Sequence, residues 1–191
     1  MKTPHTKKIT AFMLAVLFTV TVNAQTQTDS LQKTNSRLNK FAFGFNLNQY
    51  QHDYGVGLNI TTPYIANFMA FRLMGSLQWL QNTPKGDTVN TWSPYVNIRF
   101  GVVTRQLVIT DKISIYSEGG VVMLLTNPSF SSKATQFGGY GLFGFEFHPR
   151  KNWGQFIELG GVGTGAIADK AIGRPIYSNG FLISTGFRAY F

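Results

Sequence analysis

Cysteine is absent from the 191-residue chain. That excludes disulfide staples, thiolate metal centres and, as an expectation for the amino terminus, a lipid anchor carried on a Cys. Acidic residues are scarce, eight against 17 Lys and Arg, and charged residues of both signs make up only 13% of the chain. So few charges cannot cover a large water-washed surface. A long apolar run is missing as well. The stretch from Ile9 to Val22 is broken by Thr and falls short of the roughly 20 apolar residues that a spanning helix requires.

That short run instead has the layout of an export signal. Lys2, Lys7 and Lys8 form a positive head, residues 9–22 an apolar middle, and Val22-Asn23-Ala24 a small-residue cleavage site. Residues 1–24 are therefore expected to be a signal peptide, with Gln25 the mature start. Removing 24 of 191 residues leaves 167, enough for one domain, and lowers the formal charge from +9 to +6. The remaining cations are scattered rather than clustered, which argues against nucleic acid as a partner. In an exported chain, anionic lipopolysaccharide is the more natural counter-charge. Residues 25–39 are rich in Gln, Thr, Asn and Ser and read as a flexible periplasmic tail.

From residue 40 onward the pattern has period two, and no helical period replaces it. Strands are expected at 40–50, 54–62, 67–80, 94–106, 112–125, 137–148, 153–164 and 180–191. Each is close to or above the 9–11 residues that a tilted strand needs to cross a bilayer. Connections around Pro63, around Asp111 and at Pro149-Arg150-Lys151-Asn152 are short. Those at 81–93, 126–136 and 165–179 are long and polar, and only the first outward loop, at Gln51-His52-Asp53, is short. This alternation predicts an all-β fold, an eight-stranded antiparallel up-and-down transmembrane β-barrel over residues 40–191. The apolar run Leu107-Val108-Ile109 sits awkwardly beside a supposed turn.

Composition decides which face is outside. Phe41, Phe43, Phe45 and Leu47 oppose Ala42, Gly44, Asn46 and Asn48, and the later strands repeat the contrast. A face made mostly of Gly, Asn, Ser and Thr, rather than of the many Lys and Glu that a water-washed surface needs, suits a narrow lumen, so the apolar face is expected to meet lipid. Trp79, Trp92 and Tyr177 would mark the outer rim, and Tyr64, Trp153 and Phe191 the inner one.

Six charged residues share the inward parity: Arg72, Arg99 and Arg188 against Glu118, Glu146 and Glu158. Three of each sign at comparable depth predict one internal salt-bridge network. Such a cluster reads either as a polar conduit or proton relay, or as a plug. An eight-stranded interior is only wide enough to be filled, which favours the plug and argues against a diffusion porin. Gly160-Gly161-Val162-Gly163 lacks a following helix and reads as strand glycine rather than a phosphate loop. Neither a cofactor nor a metal constellation is present in the pattern.

The last strand, Ser184-Thr185-Gly186-Phe187-Arg188-Ala189-Tyr190-Phe191, alternates to an aromatic end. With the inward Gly and charge parity, the loop alternation and Tyr116-Ser117-Glu118-Gly119-Gly120, it makes the chain resemble the small outer-membrane β-barrels of the OmpX and OmpA-barrel kind over about residues 40–191. The resemblance implies the cell outer membrane as location. It also implies Gly186, Ala189 and Phe191 as an assembly signal read by the outer-membrane assembly machinery, and a monomer without catalytic residues. The loops would contact outer-membrane lipids, lipopolysaccharide or external partners. Two alternatives stay open. One is a lipid A-modifying enzyme built around His52 and Asp53 with Ser76 or Ser93, although the His-x-Ser-Asn signature of lipid A deacylases is missing. The other is an accessory barrel of a secretion system.

Overall fold

The structure, a computed structural model, describes residues 36–104, 106–110 and 112–191. The expected signal peptide at 1–24 and most of the expected tail at 25–39 lie outside the described residues. Of that tail, Ser36–Asn39 form one 3₁₀ turn, with Leu38 buried and its carbonyl accepting the Tyr64 N–H at 2.7 Å.

Nine strands follow: β1 Ala42–Gln49, β2 Asp53–Thr61, β3 Met69–Asn82, β4 Thr91–Thr104, β5 Leu107–Thr110, β6 Ile113–Leu125, β7 Thr135–Arg150, β8 Trp153–Gly163 and β9 Gly180–Tyr190. All pairings are antiparallel, and β1 pairs with β9 while β4 pairs with β6, so the sheet closes on itself. β5 follows β4, the two being broken between Thr104 and Leu107, and pairs with β6. The barrel therefore has eight staves. Closure leaves no edge along the wall, which a sheet in hydrocarbon requires. The break also accounts for Leu107-Val108-Ile109. Where a short turn is expected from sequence, β5 forms the foot of a hairpin with all four of its residues exposed and a register shift between Val108 and Thr110.

Register follows the side-chain pattern. Phe43 lies opposite Ile60, Ile60 opposite Leu73, Leu73 opposite Phe100 and Phe100 opposite Val121. One apolar row thus crosses five staves on the outer wall. A slip of one residue would turn such a row into the lumen. The wall is inside out relative to a soluble domain: Leu58 is 68% exposed and Phe143 65%, while Arg72, Glu146 and Glu158 are buried. Aromatic pairs sit near both ends of the wall. Tyr54 stacks on Trp79 at 5.5 Å and meets Trp92 edge-on at 5.0 Å; at the opposite end Trp153 stacks on Phe187 at 4.9 Å.

The connections at 50–52, 83–90, 126–134 and 164–179 lie at one end, called here the loop end, and those at 62–68 and 151–152, with the β5–β6 hairpin, at the turn end. Three loops are knitted together by main-chain hydrogen bonds. Lys85 N–H donates to the Lys170 carbonyl at 3.1 Å, Ile172 N–H to Thr83 at 2.7 Å and Lys170 N–H to Phe130 at 3.0 Å. Tyr177 departs from its expected place on the rim. It is fully buried among the loops, 5.1 Å from the Phe130 ring and 5.2 Å from Tyr95, and so belongs to a small loop core. Polar loop composition hides such a core, because only two aromatics and a few alanines build it.

Candidate functional site

The lumen is the site that the fold positions. Inward parity brings Arg72 of β3, Glu118 of β6, Glu146 of β7, Glu158 of β8 and Arg188 of β9 to one level in the turn-end half. Glu158, 0% exposed, is the hub: its Oε1 accepts Arg72 Nη1 at 2.9 Å, Arg188 Nη2 at 2.7 Å and the Tyr116 hydroxyl at 2.6 Å. Arg72 also bridges to Glu118, whose other oxygen accepts the Tyr140 hydroxyl at 2.6 Å. Arg188 reaches Glu146 at 3.1 Å, and Glu146 is completed by the Tyr190 hydroxyl at 2.5 Å and Gln106 at 3.1 Å. The result is a continuous chain, Glu118–Arg72–Glu158–Arg188–Glu146. Each guanidinium links two carboxylates, the geometry to which the planar fork is suited.

Sequence reasoning missed the tyrosines. Tyr116, Tyr140 and Tyr190 donate to all three carboxylates, and inward parity alone would have placed them in the lumen. Their rings also carry the cations: Arg72 and Arg188 lie 5.2 and 5.3 Å from the Tyr116 centroid, and Arg188 lies 4.0 Å from that of Phe156. Two glycines make room. A Cβ at Gly144 would come within 2.2 Å of the Tyr116 ring, and one at Gly154 within 2.2 Å of Glu146 Oε1.

Arg99 is the one of the six expected charges that the structure does not bring into the chain. Its Nη2 donates to Asn48 Oδ1 at 3.1 Å and touches Met74 Sδ, and its guanidinium lies 5.4 Å from the Tyr140 centroid. No described carboxylate lies within ion-pair distance of it. The five linked charges sum to one negative, so Arg99 balances them through space rather than through a bond.

Towards the loop end, Asp53 turns inward at the head of β2. It accepts the Tyr95 hydroxyl and, at 2.7 Å, the Ser178 N–H, while Ser178 Oγ accepts Asn97 Nδ2 at 2.8 Å. Asp53 thereby ties the 164–179 loop to the barrel at Ser178, whose φ of +44° is unusual for a residue with a side chain. A second tie joins two loops: Asp169 accepts the Ser132 N–H at 2.8 Å, and hydrogen bonding from Ser132 holds its carboxyl below the usual range. That tie is complete at neutral pH and is lost only as pH falls through the lowered pKa. Replacing Asp53 with Ala removes the acceptor from two buried donors, at about 1–3 kcal/mol for each group left unpaired. Trypsin cleavage after Lys170 in the folded protein is expected to accelerate roughly tenfold as the loop detaches, followed by mass spectrometry of the fragments; an unchanged rate would show that Asp53 does not hold the loop.

The geometry for nucleophilic chemistry is poor. The His52 imidazole is exposed and makes no hydrogen bond to a serine or carboxylate among the described residues, while the neighbouring Asp53 side chain faces the lumen. A Ser–His–carboxylate grouping does exist elsewhere, with Ser114 Oγ 3.0 Å from His148 Nε2 and Glu146 Oε1 3.9 Å from His148 Nδ1. There the second distance is too long for a hydrogen bond, Arg188 and Tyr190 already hold the carboxylate, and Ser114 is 1% exposed. The grouping packs the turn end of the lumen.

Neither a protein-family model nor a curated protein matches the chain. Among solved structures, the N-terminal β-barrel domain of Pseudomonas aeruginosa OprF aligns with a TM-score of 0.55 at 11% identity, covering 80% of this chain and 98% of that one. The likeness is one of fold. Two structures of Ail, the attachment invasion locus protein of Yersinia pestis, also match. The one in complex with the heparin analogue sucrose octasulfate has 12% identity and a TM-score of 0.43, covering 79% of this chain and 96% of that one. The other has 13% identity and a TM-score of 0.40, covering 79% and 95%. The OprF alignment and the eight closed staves agree on the barrel fold that the outer-membrane resemblance implies.

Proposed function

We propose that this protein is a non-enzymatic integral outer-membrane β-barrel. Its lumen is plugged by the Arg–Glu–Tyr network, its turn end faces the periplasm, and its knitted loops face outward to contact envelope lipids or external partners. The observation that carries the reading is the inverted wall. A continuous apolar row lies outside and a linked charge chain inside, an arrangement stable only where hydrocarbon surrounds the barrel. The plug reading rests on the same residues: every carboxylate in the chain is matched by an Arg and a Tyr, leaving no free carboxylate pair to relay a proton. Gly186, Ala189 and Phe191 serve the assembly machinery in this reading, and the barrel works as a monomer.

Fractionation tests the location. The protein is expected in the outer-membrane fraction, resistant to extraction by urea and carbonate, with Gln25 as the mature amino terminus. Recovery of the processed chain in the soluble periplasm would overturn the proposal.

A further inference from the structure

The outer wall is not uniformly filled. Across β6 to β9 and β1 it carries a cleft of about 530 Å³, walled by Phe45, Phe145, Phe147, Ile157 and Phe187. Its floor holds Thr185 and Gln155. The Thr185 hydroxyl is satisfied by the Phe156 carbonyl at 3.0 Å. The Gln155 side-chain amide, by contrast, is exposed and makes no hydrogen bond to a described residue. An unpartnered amide on a hydrocarbon-facing wall is costly, unless the group that covers it is itself polar at that level.

The level is near the turn end. Gln155 lies opposite both Phe147 and Phe187, and Trp153, two residues below on the same face, stacks on Phe187. The strands that build the cleft end in exposed cations: Lys112 immediately before β6, Arg150 closing β7, and Lys151 in the turn to β8. No described Asp or Glu side chain is exposed at this end, because Glu118, Glu146 and Glu158 all face the lumen.

We infer that this cleft binds a phospholipid with an anionic headgroup from the leaflet at the turn end. One acyl chain lies between the phenylalanines, the ester region meets the Gln155 amide, and the phosphate sits among Lys112, Arg150 and Lys151. Two features point to this occupant together. The apolar walls take a chain and not a soluble anion, and the cations at the foot select net negative headgroup charge, which a zwitterionic lipid lacks. The inference rests on the proposed membrane location and adds to it a site, a leaflet and a lipid class.

The chain has three tryptophans, Trp79, Trp92 and Trp153. Replacing Trp79 and Trp92 with Phe leaves Trp153, at the lower rim of the cleft, as the only fluorophore of its kind. The full-length mature protein is reconstituted into phosphatidylcholine vesicles containing acyl-brominated phosphatidylglycerol or, in parallel, acyl-brominated phosphatidylcholine. Brominated phosphatidylglycerol should compete for the cleft more strongly at low salt, by roughly fivefold for each cation engaged. Changing Lys112, Arg150 and Lys151 to Gln should bring the ratio to about one. Thr185→Phe, which fills the floor and leaves the cations in place, should also abolish the preference. Equal quenching by both lipids in the parent protein, or a preference that survives Thr185→Phe, would overturn the lipid site while leaving the membrane reading intact. Quenching by neither lipid would overturn the membrane reading itself.

Discussion

Glu158→Gln is expected to destabilise the folded barrel by about 3–5 kcal/mol, the cost of breaking a buried ion pair from one side. The magnitude follows from the hub geometry: one oxygen, fully buried, accepts from Arg72, Arg188 and Tyr116. Removing its charge leaves two guanidinium groups sharing Glu118 and Glu146; the amide oxygen still accepts the three donors but without the charge that balances them, and the amide NH2 takes the Oε2 position, which is buried and has no partner. Glu118→Gln should cost less, because Glu118 meets one guanidinium and one hydroxyl. Arg99→Met is the control. It orphans no bonded carboxylate and removes only the bond to Asn48 and a through-space balance, so it should cost clearly less than Glu158→Gln. Denaturant unfolding in detergent micelles, followed by tryptophan fluorescence, gives the three values. Equal losses at Glu158 and Arg99 would mean that the linked chain is no more important than an isolated charge.

Gly186→Val should prevent barrel closure both in cells and in purified detergent refolding. Gly186 lies opposite Asn46 in the seam between β1 and β9, and a Cβ there would fall 1.9 Å from the Phe45 carbonyl oxygen. Overpacking against side chains costs about 1–3 kcal/mol, but here the obstacle is backbone, and the seam must part. Phe191→Ala makes the contrast. Phe191 is 71% exposed, and its contacts are an N–H bond to the Phe41 carbonyl at 2.9 Å and an edge-on ring at 6.0 Å from Phe43. Its ring contact is worth about 0.5–1.5 kcal/mol, so refolding should change little. If Phe191 is read by the assembly machinery, surface abundance should fall severalfold all the same. Surface labelling of cells and gel-shift assays of refolding yield separate the two, and parallel losses for Phe191→Ala would leave no recognition role to assign.

Much of this architecture was legible in the residues, for a physical reason. Period-two alternation is local, so β6 starts within one residue of its expected position, and β3 and β7 within two. Parity is also local, and it placed Arg72, Glu118 and Arg188 in the lumen without any knowledge of their neighbours. What parity cannot supply is azimuth. Whether an inward Arg meets a carboxylate depends on strand order and stagger around the barrel, which is why Arg99 was expected in a chain that it does not join. The Tyr116, Tyr140 and Tyr190 donors were overlooked although the same alternation marked them, because tyrosine is as much at home on a membrane rim as in a polar lumen. Phe130 and Tyr177 were beyond sequence reasoning. Their burial depends on three loops meeting, through contacts between residues 40 or more positions apart. β5 was misjudged for a different reason: an apolar run so close to a turn looks like a failed strand, and only its pairing with β6 shows that the hairpin continues beyond the break.

A lumen filled by linked charges in a membrane-embedded wall should pass no ions, which planar-bilayer recording of the purified mature protein measures. Conductance should stay near the bilayer background in the wild type, and in Glu118→Gln as well, because loss of one carboxylate does not widen an eight-stranded barrel. Stable, ion-selective channels in the wild type, abolished by Glu118→Gln without a change in thermal stability, would contradict the plug and establish the charge chain as a conduit.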